Sequence, residues 1–292
     1  MQQISRRRFV AMTATGIAIA PRTLMASDTP GAINAQDVID RIRKSVGLDW
    51  KPETVDTLKA GDPQTPVTGI VTSSLASLEV FEAAVKIGAN LIVSCEPTFF
   101  SKAETPLASD PVFQGKAEFI RKHKLLAWRF SDHWRRRSPD PFAQGLAQQL
   151  GWAKFFDPQN PNLITIPAMT LAALTGHVKT SLKIRGGLRI IGDPKLHVRR
   201  LALLPGSTPL QAAIKSLPGA DAILAGEVRE WETVEYVRDT VALGGKKALL
   251  LTGRIVSEDP GMAICAQWLK ALVPEVPCRW ITAGDPYWRP VA

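Results

Sequence analysis

From residue 67 onward the sequence alternates short apolar runs with amphipathic stretches of helical spacing, and this alternation limits the chain to few folds. Residues 67–72, 90–94 and 125–130 read as strands, with helices at 75–87, 112–123 and 142–150. A second series has strands at 188–191, 199–204, 222–225, 248–252 and 278–282, with helices at 209–217, 230–243 and 261–272. One short amphipathic helix, 35–46, precedes both. Buried β-rich runs separated by helices of this length imply βαβ units and a largely parallel sheet. The proline-rich segment 157–167 divides the two series. The expected organisation is α/β, with one half over 27–160, a second over 161–292, and a site between them.

In parallel α/β sheets, ligands bind beyond the carboxyl ends of the strands. Reading those ends places Cys95 and Glu96 after the second strand and Asp132 and His133 after the third. Glu227 follows Ile223-Leu224-Ala225-Gly226, Arg254 and Glu258 follow Leu250-Leu251-Thr252-Gly253, and Asp285 follows the last strand. Carboxylates, an imidazole and a thiol are groups that a divalent transition ion accepts. Each also has a simpler role: Cys95 as a small buried apolar group, His133 as a core histidine held by its neighbour, and Arg254 with Glu258 as an ion pair four residues apart.

Routine catalytic motifs are absent: there is no HExxH, CxxC, GxSxG or GxGxxG. Gly244-Gly245-Lys246 follows a helix and precedes a strand, with no Ser or Thr after the lysine, so it reads as a helix-ending turn. Three cysteines do not make a disulfide framework.

Ser5-Arg6-Arg7-Arg8-Phe9-Val10 fits a twin-arginine export motif, followed by an uncharged stretch over 9–20 and a small residue, Ala26, at the cleavage position. That stretch is too short to span a bilayer, which needs about 20 residues. The expectation is a signal peptide over 1–26 and a mature periplasmic or secreted protein with no membrane segment. Removing it deletes four arginines and no acid, taking the formal net charge from +9 to +5. The remaining basic clusters, Arg121-Lys122-His123-Lys124 and Arg135-Arg136-Arg137, are short and separated. They read as solvated faces, and no nucleic-acid partner is expected.

The strand ends carry a further signal. Thr68-Gly69-Ile70-Val71, Gly88-Ala89-Asn90-Leu91-Ile92-Val93-Ser94-Cys95-Glu96-Pro97-Thr98-Phe99-Phe100 and Arg129-Phe130-Ser131-Asp132-His133-Trp134 resemble the Nif-three-like dinuclear metal centre proteins, often described as type 2 GTP cyclohydrolase I homologues. The resemblance continues at Gly145 to Gly151, Ala225-Gly226-Glu227, Thr252 to Glu258 and Gly284-Asp285-Pro286-Tyr287. It implies two interlocked α/β halves with mixed, largely parallel sheets, assembly into a homo-oligomeric ring, commonly a hexamer, and a two-metal site between the halves. The ligands it implies are a His-His pair before a proline, an aspartate after the next strand, and a His-x-x-x-Glu group near the C-terminus. This chain has Cys95-Glu96 before Pro97 and Arg254 at the later histidine position, while Asp132 and His133 compete for the aspartate position. Glu258 matches its position.

Arginine has no lone pair and cannot coordinate a metal. Arg254 can instead pair with Glu258 or hold a substrate phosphate or carboxylate. The metal set carried forward is Cys95, Glu96, Asp132, His133 and Glu258, for zinc, manganese, iron or no ion, with Arg254 and Glu227 as ligand-binding residues. Two functions follow: an exported metal-dependent hydrolase, or a non-catalytic ring that binds a metal or small ligand.

Overall fold

Residues 32–288, apart from 102, 105, 106 and 108, are described by a computed structural model. The twin-arginine segment lies outside the described residues. From Ile33 onward the chain makes one compact unit containing two five-stranded sheets.

In the first sheet, β1 (Leu58–Ala60) lies at one edge, antiparallel to β4 (Leu126–Arg129). Parallel neighbours β3 (Leu91–Ser94) and β2 (Ile70–Ser73) follow, and then β10 (Cys278–Trp280), parallel to β2. The last strand of the chain thus belongs to the first sheet. The second sheet runs β5 (Leu163–Thr170), β7 (His197–Ser207), β8 (Ala222–Glu227), β9 (Ala248–Leu251) and β6 (Arg189–Ile191), with antiparallel strands at both edges. The fold is mixed α/β with two mostly parallel sheets, as the alternation implies.

Strand side chains alternate between faces, so each sheet needs a cover on both sides. Ile70, Leu91 and Trp128 face α1 (Ala35–Ser45) and α9 (Arg254–Leu272) through Val38, Ile42, Met262 and Leu269. Val71, Ile92 and Ala127 face α2 (Leu78–Lys86) and α3 (Pro111–Lys122). In the second sheet, Leu201, Leu224 and Leu250 meet α5 (Pro141–Gln149) and α6 (Leu171–Ser181), while Ala202, Ile223 and Leu249 meet α7 (Leu210–Ser216) and α8 (Glu235–Ala242).

Three local differences from the sequence reading have physical causes. Part of the proline-rich segment is strand β5, where Pro167 lies within a register shift between Thr165 and Met169. An edge strand tolerates proline at a bulge because no ladder donor is lost there. Residues 230–243 are a π-helical turn, Glu230–Val234, leading into α8. Helix α9 starts at Arg254 and runs through Pro260, well ahead of residue 261. Asp259 holds that first part in place: its carboxylate accepts hydrogen bonds from Ser74 N and Oγ, Thr282 Oγ1 and Ala283 N. Gly145 and Gly261 let α5 and α9 cross closely, since a Cβ on either would collide with Pro260 or Phe142. Helix α9 therefore carries the chain from the second sheet back to the first, and Glu258 lies on that bridge.

Candidate functional site

Strand β3 ends at Ser94, so Cys95 and Glu96 sit at its carboxyl edge, both buried. Gly253, with φ of 93°, turns the chain from β9 into α9 and places Arg254 in the first turn and Glu258 one turn later. A ligand atom from each of Cys95, Glu96 and Glu258 lies within 4.8 Å of the others. These three, drawn from two sheets, form the centre of the site.

Two guanidinium groups occupy it. Arg135 Nη2 lies 2.7 Å from Glu96 Oε1 and 2.7 Å from Glu258 Oε1. Arg254 Nη2 lies 2.7 Å from the same Glu96 oxygen, and its Nε is 3.8 Å from Glu258 Oε2. The Arg135–Glu258 contact is close but poorly aligned, so neither Glu258 oxygen receives a well-formed hydrogen bond among the described residues. Gly206 (φ 82°) packs its backbone so tightly against this carboxylate that a Cβ there would overlap Glu258 Oε1.

Burial pushes the Glu258 carboxyl up to about 7; Arg135 pulls it back, Glu96 adds to the rise, and Arg254 opposes it. Burial, with Glu258 nearby, also drives the Cys95 thiol well above its usual range, and Cys95 Sγ donates to Ser74 O at 3.4 Å. Burial works against the Arg135 charge, but Cys95, Glu258 and Glu96 outweigh it and raise the guanidinium's pKa.

The other candidates stand outside this three-residue group. His133 is fully buried; its Nδ1 donates to Asp56 Oδ2 at 2.8 Å, its Nε2 accepts from Lys51 N at 3.0 Å, and its ring stacks on Trp50 at 3.8 Å. With both ring nitrogens engaged, it offers no lone pair to the cluster. Asp132, at the start of α4 (Asp132–Arg135), accepts from Thr54 Oγ1 and Val55 N. It lines the cleft but stands outside the three-residue group. Glu227 ends β8, exposed, beside a second cavity of about 540 Å³ that Arg254 also lines.

The main cleft, about 1060 Å³, lies over the cluster. Among the described residues, its basic lining groups are Lys116, Arg129, Arg135, Arg229 and Arg254, against Glu96 and Asp132 as acids. Arg129 is engaged by Glu104 at 3.1 Å. Arg135 and Arg254 keep 30% and 36% of their side-chain surface exposed while holding Glu96.

The residues from 33 to 283 match the model of the Duf34/NIF3 (NGG1p interacting factor 3) family. The chain belongs to that family. No curated protein matches the sequence. Among solved structures, the Staphylococcus aureus protein SA1388 superposes with a TM-score of 0.66 at 18% identity, covering 88% of this chain and 99% of that one. A Bacillus cereus protein related to NIF3 gives 0.66 at 15% identity, with 88% and 99% covered. Reduced HcgD from Methanocaldococcus jannaschii gives 0.57 at 13% identity, with 85% and 97% covered. At such identities these matches concern the fold alone.

For this NIF3 family member, a two-ion centre does not fit the residues present. Three donors converge among the described residues, His133 has both ring nitrogens engaged, Asp132 lies outside that group, and two permanent cations, Arg135 and Arg254, are paired with Glu96. Cys95, Glu96 and Glu258 could hold one ion only with Arg135 withdrawn. Sequence reading passed over Arg135, taking it as part of a solvated basic run. The available signal was its place six residues beyond the carboxyl end of β4, close in sequence to Asp132 and His133; Arg135 Nε donates to Ser131 Oγ at 3.2 Å. Lys116 was passed over too, although it recurs at helical spacing with Phe113 and Ile120 on the apolar face of α3.

Proposed function

We propose that this protein binds a small anionic ligand, a phosphate or carboxylate compound, in the main cleft, with arginines replacing the cations of a two-metal site. The observation that carries the reading is the convergence of Arg135 and Arg254 on one oxygen of Glu96. Both guanidinium groups remain about one-third exposed in a cleft that has further basic groups. Cys95 is held neutral and Glu258 only partly ionised near neutrality, so the arginine charge exceeds the buried negative charge. An arginine fork with spare donors is suited to phosphate or carboxylate oxygens.

Calorimetric titration with inorganic phosphate at low salt tests this. The parent should bind, and Arg254→Ala should bind at least about tenfold more weakly, the loss of one charge-assisted contact. Equal binding by both proteins would overturn the assignment.

A second reading, a metal-dependent hydrolase, is supported by the closeness of Cys95, Glu96 and Glu258 and by the unmet oxygens of Glu258. A bound ion would supply a Lewis acid and a water of lowered pKa. Elemental analysis of protein purified without a metal-affinity tag separates the readings: one tightly held ion per chain favours this one. Export through the twin-arginine route and assembly into a ring are part of the proposal, from the N-terminal pattern and the family resemblance respectively; a monomer in light scattering would overturn the ring.

A further inference from the structure

Among the described residues, Lys116 is the one lysine lining the main cleft, and its surroundings differ from those of the arginines there. It lies on the apolar face of α3 and is 9% exposed. Its Nζ donates to the Thr98 carbonyl at 2.5 Å and lies 5.3 Å from the ring centre of Phe100, 5.7 Å from Phe81 and 5.8 Å from Phe99. Among the described residues it forms no ion pair with a carboxylate. Burial brings the ammonium down to about 8, although Glu104 and Glu79 pull the other way. Loss of hydration outweighs both carboxylates. A neutral amine can keep its N–H bond to Thr98 and still have its lone pair free. Desolvation among apolar groups is one of the ways in which proteins activate lysine as a nucleophile.

We propose that Lys116 is a carbonyl-capturing nucleophile, forming an imine with an aldehyde or ketone whose acidic group is held by the cleft arginines. The acidic part of this ligand class rests on the anion-binding reading above. The amine nitrogen attacks the carbonyl carbon, forming a C–N bond as the oxygen takes up a proton. The carbinolamine then loses its hydroxyl as water, with the second amine proton, and a C=N bond results. Nothing is oxidised or reduced.

The test treats the protein with glyoxylate at pH 8, adds borohydride, and maps the reduced adducts by peptide mass spectrometry. At that pH a lysine titrating near 8 is about half free amine, against less than about 1% for an ordinary lysine near 10.4. Lys116 should therefore be labelled on the order of tenfold or more faster than the other lysines, and sulfate should slow it. Acetaldehyde, which lacks the carboxylate, should label it more slowly, and Arg254→Ala should erase that preference. In Lys116→Arg, checked for native circular dichroism, the adduct on this peptide should vanish. Uniform labelling of all lysines overturns the capture, even where calorimetry still shows phosphate binding. Selective labelling by both aldehydes at one rate, unaffected by sulfate, keeps the nucleophile but overturns the acidic ligand class, while phosphate calorimetry decides the anion reading separately.

Discussion

Arg135 sets a single nitrogen, Nη2, 2.7 Å from Oε1 of Glu258, a carboxylate with no solvent exposure. The same nitrogen is 2.7 Å from Glu96, so one guanidinium compensates two acids that come from different sheets. Breaking a buried pair by removing one partner is costly because the other charge stays behind.

Arg135→Met should therefore destabilise the protein by about 3 kcal/mol at pH 8, the low end for such a change because Arg254 remains. Adding Glu258→Gln should recover most of the loss. Urea unfolding midpoints of the two variants check this; a single variant as stable as the parent would remove Arg135 from its role.

Glu258 should leave a signature in stability against pH. Its folded pKa, about 7, lies above the unfolded value of 4.5. Between those values the unfolded chain releases a proton that the native protein retains, so stability falls as pH rises through the window. The full effect is about 3 kcal/mol, from 1.36 kcal/mol per pKa unit. Below 4.5 and above 7 the contribution is level. The stability difference between parent and Glu258→Gln, measured from pH 4.5 to 8, should show this slope.

Asp56 should matter for folding more than for ligand binding. Its carboxylate accepts from the backbone N–H groups of Ser131, Asp132 and His133 and from the His133 ring. Asp56→Ala leaves several buried donors without partners, each costing about 1–3 kcal/mol. A loss of at least about 3 kcal/mol in chemical denaturation is expected. A loss under about 1 kcal/mol would mean that water replaces the carboxylate.

Metal affinity should respond to both arginines together. Arg254→His restores an imidazole near Glu96 and Glu258 but leaves Arg135 between them. Zinc titration should give negligible binding for this variant and one ion per chain once Arg135→Ala is added. Strong binding by Arg254→His alone would show that Arg135 moves aside readily.

The export reading predicts that replacing Arg6 and Arg7 by lysine keeps the protein in the cytoplasm. Cell fractionation followed by immunoblotting checks it, and normal export of the double variant would end that reading.

The strands of both sheet centres were legible because a strand covered on both faces must be apolar throughout, as at Leu91 to Val93 and Ala248 to Leu251. The helices between them declared themselves through their spacing, and the strand ends brought Cys95, Glu96 and Glu258 into view. Short edge strands such as β1 lack such a run, having only one neighbour and partial burial, so their pairing was not visible.

What the sequence by itself determined was the α/β class, the family and which residues stand at the carboxyl ends of the strands. Periodicity is a property of neighbouring residues along the chain, and it tells which side of an element will be buried without telling what will cover it. The tertiary structure alone decided which of those residues meet. It turned His133 away to Asp56, brought Arg135 inward from a basic run, and joined Arg254 to Glu96 across 158 positions of sequence. The reason is the path of α9, which leaves the second sheet at Gly253 and reaches the first at β10. Charges so far apart in sequence find each other only once that helix has crossed.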